Sequence, residues 1–598
     1  MKRENDTETT NDVLTVDSYQ NDRNIAMQRV KPEFRLTEEE IQEHINLAME
    51  YQNQNPSDSV QNHQKKKRRG QNKAKERVNE KPRDLKLCFA VSVGNPCETE
   101  NCRFYHDVEK YLEMKGPDLG PNCPIFDLLG NCKYGVKCRF SKCHTGENYK
   151  PIQKDNVLLE SQFIKNTIPR DFQKQARNNS LKTEQSDAFE AVYQKHYNKK
   201  SEVKSEVKEN DAFFEQKRKD FEDDYFKELK LRPQEKKRLD FKGKSYLAPL
   251  TTVGNLPFRR ICKGFGVDIT CAEMTLAQNL LQGAQTEWPL LRRHASEDFF
   301  GVQITGNHPC QFTKVCDIVN QYFEVDFVDI NVGCPVEAIT CKGSGSALME
   351  RRTRLRQMVQ GAKSVLDCPI TVKIRTGIKS KSPFAHTLIG EIERWGADVV
   401  TIHGRSKEQR YTKLADWDYI DKCGANINRT VEYPMQLFGN GDIFNPEDYT
   451  AVLNERKNID GVMIGRGALI KPWIFKEIQT GQVWDISATE RFDLLKDFGK
   501  YGMEFWGTDT MGINQTRKFM CEWLSFLHRY VPVGILEVIP QKMNFRPERF
   551  KGRNELETLL SSDNVHDWIK LTERVLGPAS DSFSFIPKHK SNSYETEG

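Results

Sequence analysis

The stretch DFVDINVGC, Asp326 to Cys334, decides the fold. Its apolar residues are dense enough for a buried strand, and it closes on a glycine and a cysteine just before Pro335, where a strand must stop. Seven further runs of the same kind surround it: YLAPL from Tyr246, DITCAEM from Asp268, FFGVQITG from Phe299, PITVKIRTG from Pro369, ADVVTIHGR from Ala397, PMQLFGNGD from Pro434 and IDGVMIGRG from Ile459. Each is followed by polar or glycine residues and then by an amphipathic stretch. Eight such units fit an α/β fold of the (β/α)8 TIM barrel type over residues 244–480, with a doubly wound open sheet as the competing arrangement. Cys334, Lys373, His403, Asn440 and Arg466 fall at or just beyond strand C-terminal ends. In a barrel those ends converge on one face, where active sites are built.

With 598 residues the chain is too long for one ordinary core, and a length prior suggests roughly three or four domains. Its opening, MKRENDTETT, lacks the order of charged, apolar and small residues found in secretory leaders. No apolar run reaches the ~18 to 20 residues of a membrane-spanning helix. These features point away from a membrane partner and toward an intracellular protein, cytoplasmic or nuclear. Sixteen cysteines in such a compartment serve as metal ligands, buried thiols or a reactive thiol rather than a disulfide framework.

Outside the barrel the composition changes sharply. Residues 1–82 read as a disordered basic N-terminal region with one helix over Thr37 to Tyr51, which Thr37 and Glu40 open as a capping box. Its basic run, NHQKKKRRGQNKAKER from Asn62 to Arg77, suits phosphate attraction or nuclear import, or is a solvated linker. Residues 149–243 read as a charged, partly helical linker, 481–578 as a C-terminal helical domain and 579–598 as a disordered tail. Ser487 and Glu490 form a second capping box, ahead of a stripe of Phe492, Leu495, Phe498, Tyr501 and Phe505.

Residues 83–148 carry the other sulfur chemistry. Cys88, Cys97, Cys102 and His106 are spaced C-x8-C-x4-C-x3-H, four ligands suited to tetrahedral zinc. Cys123, Cys132 and Cys138 repeat the theme, with His144 or Cys143 as the fourth ligand. Both segments resemble CCCH zinc fingers, each too short to bury a core, so that metal binding supplies the folding free energy. Arg103, Phe104 and Tyr105 in the first, and Lys133, Tyr134, Arg139 and Phe140 in the second, could stack on unpaired bases and meet phosphates. The plainer account is that Phe104 and Phe140 pack beside their zinc.

At the barrel face, GNGD from Gly439 and IGRG from Ile464 follow the seventh and eighth runs, where glycine-exposed amides commonly cradle a phosphate. No GxGxxG follows a strand, so a phosphate-bearing cofactor such as FMN fits better than a resident dinucleotide. Lys373 would point into the mouth, where an anionic flavin ring or a barrel carboxylate could offset its charge. His403 and Gln303 share that face as hydrogen-bonding groups.

With APLTTVGNLPFR from Ala248, AEM from Ala272 and GNGDI from Gly439, these motifs resemble in order and spacing those of the tRNA-dihydrouridine synthases, and the helical tail resembles that family's RNA-binding domain. The resemblance implies FMN held by Pro249, Leu250, Thr251, Gln303, Lys373, His403, Asn440, Gly441, Asp442, Gly465 and Arg466, with Cys334 as the catalytic cysteine. It implies that NADPH reduces FMN, that hydride passes to C6 of a tRNA uridine, at variable-loop position 47 in zinc-finger-bearing members, and that Cys334 protonates C5. Arg375, Arg517 and Lys518 are the candidate RNA contacts, with Trp523 and His528 near the last two. A monomer is expected, and messenger RNA stays open as a second substrate. A flavin-dependent reductase of small enones and a noncatalytic RNA-binding protein are the competing readings.

Overall fold

Eight parallel strands close on themselves in the computed structural model, which describes residues 27–43, 46, 86–197, 236–409, 411, 413–580 and 583–588. They are β1 (Ser245–Leu247), β2 (Ile269–Cys271), β3 (Phe299–Thr305), β4 (Phe327–Asn331), β5 (Ile370–Arg375), β6 (Val399–His403), β7 (Gln436–Asn440) and β8 (Gly461–Ile464). The ring is completed where Val462 of β8 lies opposite Ser245 of β1, and where Ile269 of β2 lies opposite Tyr246 and Phe299. Closure removes the sheet edges an open arrangement would expose, and the TIM barrel expected from the eight runs is the fold. Helices return the chain between strands, several opened by a side-chain cap: Asn255 accepts from Phe258 N, Asp416 from Tyr419 N and Asn445 from Asp448 N. Each cap contributes about 1 kcal/mol and fixes where its loop at the barrel mouth ends.

Because residues two apart in a strand share a face, the interior is layered. Its floor is aromatic: Tyr246 meets the rings of Phe327 and Phe438 edge-on, both at 5.9 Å, and Phe241, from the segment before β1, plugs the bottom against Phe299 and Phe327. Gly301 makes room for this layer, since a Cβ there would lie 2.2 Å from the Phe327 ring. Higher along the barrel axis the inward positions are polar, with Gln303, Asp329, Thr371 and Thr401 in the middle and Asn331, Lys373, His403 and Asn440 toward the mouth, Arg375 standing one pleat above Lys373. The apolar floor therefore gives way to polar groups toward the C-terminal mouth.

Two segments differ from the sequence reading. Within the supposed disordered N-terminal region, residues 27–36 are strapped to the C-terminal part of the chain. Met27–Gln28 pairs with Arg546–Pro547, Val30 is fully buried among Val531, Ile535, Leu536 and Phe550, and Arg35 pairs with Glu537 at 2.8 Å. Thr37 and Glu40 do form their capping box, while most of the expected helix beyond Glu43, and the basic run 62–77, lie outside the described residues. The first half of the supposed linker also packs on the barrel: Ile164–Lys165 pairs with Arg293–His294, and Phe172, Leu181 and Phe189 are buried. Sparse apolar residues among many charges concealed these docking faces. Residues 198–235 and 589–598 lie outside the described residues.

The C-terminal helices run Ala488–Trp506, Thr510–Leu527, Glu555–Leu560 and Val565–Leu576, the first opened by the Ser487 and Glu490 capping box. Trp523 fastens this domain to the barrel, its Nε1 donating to Leu469 O at 3.0 Å and its ring lying 5.5 Å from Phe258. Arg517, read as an RNA contact, is 1% exposed and donates to Thr572 Oγ1 and to the carbonyls of Gly577 and Pro578. It is a helix-end clamp that no phosphate can reach, and Trp523 and His528 are buried as well. Lys518 on the same helix is half-buried.

Candidate active site and metal clusters

A relay of buried amides holds the loop that carries Cys334. Asp329 accepts from Thr371 Oγ1 and from Gln303 Nε2 at 2.6 Å; Gln303 Oε1 accepts from Asn331 Nδ2 at 2.8 Å; Asn331 Oδ1 accepts from Cys334 N at 2.9 Å. On the other side Ser346 N donates to Cys334 O at 3.0 Å. The cysteine loop, with its small residues GSGSALM, is thus tied down on both sides of the thiol. Burial raises the Cys334 thiol above its ordinary range despite nearby Arg375 and Lys373, so it stays protonated at neutral pH. Burial also pushes Asp329 up to about 6, against the pull of Thr371, Gln303 and Lys373.

Around this loop the mouth is lined with cations. Lys373 makes no ion pair among the described residues, and burial together with Arg375 brings it down to about 8. Arg375 donates through Nε to Gly333 O at 2.7 Å and through Nη1 to Ser406 O at 2.9 Å, which positions the cysteine loop. Arg405 and Arg466 share the Asp442 carboxylate at 2.6 and 2.8 Å, and the Tyr411 ring lies 4.2 Å from the Arg466 guanidinium. Burial and these four cations keep His403 neutral.

All the candidate cofactor residues lie on this rim. Pro249, Leu250 and Thr251 follow β1, with Leu250 against Gly465, where a Cβ would meet it at 3.7 Å. Asn440 donates to Met463 O at 2.8 Å, tying β7 to β8, and Gly441 and Asp442 continue the loop at positive φ. Two buried nitrogens of the mouth lack partners among the described residues: His403 Nδ1 and Arg405 Nη1, the latter beside Gly441. An unpaired guanidinium nitrogen, an unpaired imidazole nitrogen and an ammonium that makes no ion pair among the described residues suit an anionic ligand such as a flavin phosphate and ring.

Sequence reasoning missed Arg405, Asn331, Glu273 and Tyr411 at this site. Arg405 was recoverable, since it stands two residues beyond His403 in TIHGR. Glu273 accepts from Thr252 N at 2.7 Å and holds that residue at φ +79°, shaping the Pro249–Thr251 loop. That long-range bond has no local signature.

In the N-terminal module, Cys88, Cys97, Cys102 and His106 bring one ligand atom each within 4.8 Å of one another, and so do Cys123, Cys132, Cys138 and His144. Between the alternatives for the second cluster, the geometry selects His144, which is fully buried with both ring nitrogens unpartnered, while Cys143 Sγ donates to Phe140 O. Such donor sets fit a tetrahedral metal ion. The aromatic residues divide unequally: Phe89 and Phe104 are 61% and 44% exposed beside the first cluster, but Phe140 is 8% exposed. Arg139 donates to Pro117 O and the exposed Lys133 pairs with Glu160 at 2.8 Å, so both basic side chains beside the second cluster have partners on the protein surface.

Residues 246–514 match the family model described as dihydrouridine synthase. A Xenopus laevis protein named tRNA-dihydrouridine(47) synthase (NAD(P)(+))-like is 48% identical, covering 92% of this chain and 86% of its own length. The human protein of that name is 45% identical over 89% of this chain and 85% of its own. Among solved structures, morphinone reductase aligns at 10% identity and a TM-score of 0.29, covering 40% of this chain and 86% of its own. With a barrel, a cysteine-bearing loop at its mouth and relatives matched over nearly their whole length, the chain belongs to the dihydrouridine synthase family of enzymes.

Proposed function

We propose that this enzyme reduces the C5–C6 double bond of a tRNA uridine, at variable-loop position 47, with NADPH as reductant and FMN as cofactor. Bound FMN, reduced by NADPH, would supply the hydride for C6. Arg405, Arg466 and the Gly439–Asp442 loop would hold its phosphate, while Gln303, Lys373 and His403 would face its ring. The observation that carries the reading is a thiol, Cys334, whose own N–H and C=O are both hydrogen-bonded within a ring of cations.

The chemistry follows from that placement. As charge develops on the uracil ring, Cys334 Sγ gives its proton to C5 as a general acid. Burial keeps the proton on sulfur beforehand, and Lys373 and Arg375 stabilise the thiolate left behind. Asp329, through Gln303 and Asn331, sets the position of the thiol. The Cys88–His106 and Cys123–His144 clusters would each hold zinc, and the exposed Phe89 and Phe104 beside the first offer stacking surface for unpaired bases. Among the described residues no helix is long and apolar enough to cross a membrane. The reading places the enzyme with tRNA, in the cytoplasm or the nucleus.

The test is direct. Purified protein incubated with unmodified tRNA and NADPH is expected to add two hydrogens to the variable-loop uridine, located by mass spectrometry of nuclease fragments. Turnover of small enones with no change in tRNA would overturn the reading in favour of a small-molecule reductase.

A further inference from the structure

The two metal clusters have the same ligands but different surroundings. The first is held by local contacts such as Cys88 N to Tyr105 O at 2.8 Å. The second is sunk into the rest of the protein. Cys123, Cys132 and Cys138 belong to the same buried apolar cluster as Leu495 and Phe498 of the helical domain, and the helix Pro124–Leu129 packs on Ala488–Trp506. The turn joining the two long C-terminal helices, Gly507–Asp509, meets the ligand loop directly. Arg139 N donates to Thr508 O at 2.8 Å, and Cys138 bridges to Asp509. Gly507, at φ +116°, leaves room for Tyr134, whose Oη would lie 2.3 Å from a Cβ there.

Thr508 is the decisive residue. It is fully buried, and its Oγ1 lies 3.1 Å from Cys138 Sγ and 3.7 Å from Cys132 Sγ, although 370 residues separate Thr508 from Cys138. As a thiol, Cys138 donates to this hydroxyl; as a metal-bound thiolate it has no proton, and the hydroxyl donates instead. Groups that hydrogen-bond to metal ligands tune the metal, and their loss typically costs about 10- to 100-fold in affinity.

We propose that the second cluster is a metal-locked joint rather than a nucleic-acid reader: Thr508 of the helical domain supports its ligand sulfur, so that metal occupancy fixes the helical domain against the N-terminal module. Base-reading aromatic surface is left to the first cluster. The proposal rests on the zinc reading of the second cluster and not on the reaction at the barrel mouth.

The test uses the full-length zinc-loaded chain carrying Cys88→Ser, which confines tightly held zinc to the second cluster. Release to the chelator 4-(2-pyridylazo)resorcinol is followed for Thr508, Thr508→Val and Thr508→Ser, and amide hydrogen exchange is read before and after zinc withdrawal. The expected result is release about tenfold faster with valine and near parent rate with serine. Withdrawal should raise exchange across residues 488–513 while strands β4 and β5 stay protected. Equal release rates for threonine and valine, or unchanged exchange at 488–513 on withdrawal, would overturn the joint. Should valine prevent folding, seen as lost protection of β4 and β5, the withdrawal experiment on the Thr508 chain decides alone. A Cys88→Ser chain that binds no zinc overturns the zinc reading and the joint with it.

Discussion

The floor and the mouth of the barrel are the two ends of one closed ring of strands, yet they obey opposite rules. At the floor Tyr246, Phe299, Phe327 and Phe438 fill space ring against ring, with Phe241 closing the end. At the mouth Lys373 lacks an ion pair among the described residues, and His403 Nδ1 and Arg405 Nη1 are buried without partners. Unpaired polar groups cost stability when buried, so a protein retains them where a ligand will meet them. The difference teaches that floor residues should register in unfolding experiments and mouth residues in ligand and turnover experiments.

The largest effect that would break this division is at Cys334. Cys334→Ala is expected to lower tRNA uridine reduction by about 10²- to 10⁴-fold, the usual contribution of a positioned acid, with flavin content and thermal midpoint close to those of the parent. Full turnover would remove the thiol from the chemistry. Next comes Phe327→Ala at the floor, expected to cost about 3–5 kcal/mol in urea unfolding of the full chain, through lost burial and an unfilled cavity. A cost below about 1 kcal/mol would show the floor to be loosely packed.

Lys373→Met sharpens the contrast from the other side. Removing an ammonium that makes no ion pair among the described residues should leave the cofactor-free protein as stable as the parent within about 1 kcal/mol, while flavin retention on gel filtration falls. Marked destabilisation of the cofactor-free form would instead reveal a structural cation. The smallest effect concerns pH. Burial raises the Cys334 thiol, so its thiolate fraction between pH 7 and 9 lies below that of a free cysteine, whose ordinary value is 9.0. Iodoacetamide labelling of Cys334, followed by peptide mass spectrometry, should therefore be slow at neutral pH and still be climbing at pH 9. Arg375→Met removes a charge that favours the thiolate, and labelling should slow by a further few-fold; faster labelling would show that its hold on the Gly333 carbonyl matters more.

How much of this was legible depended on whether the signal was local. The eight strand runs were readable because a closed parallel barrel buries each strand on both faces, which demands dense β-branched residues followed by loop residues. The rim positions of Lys373, His403 and Asn440 followed from their places at the C-terminal ends of those runs. Arg517 was misread because a basic residue on a helix looks the same whether it meets a phosphate or caps the carbonyls of another helix. Phe140 stayed open between two readings for a parallel reason: an aromatic between metal ligands can face a base or a core. The docking of residues 27–36 and 164–189 left only isolated hydrophobic residues in charged surroundings.

The sequence by itself determined what is set by neighbouring residues: strand periodicity, the capping boxes at Thr37 and Ser487, the ligand spacings, and the cysteine ending the fourth strand. Only the tertiary structure decided His144 over Cys143, the relay from Asp329 to Cys334, and the burial of the second metal cluster against Thr508. These depend on groups brought together across tens to hundreds of residues. Hydrogen bonding and burial are properties of distance in space, which spacing along the chain does not encode.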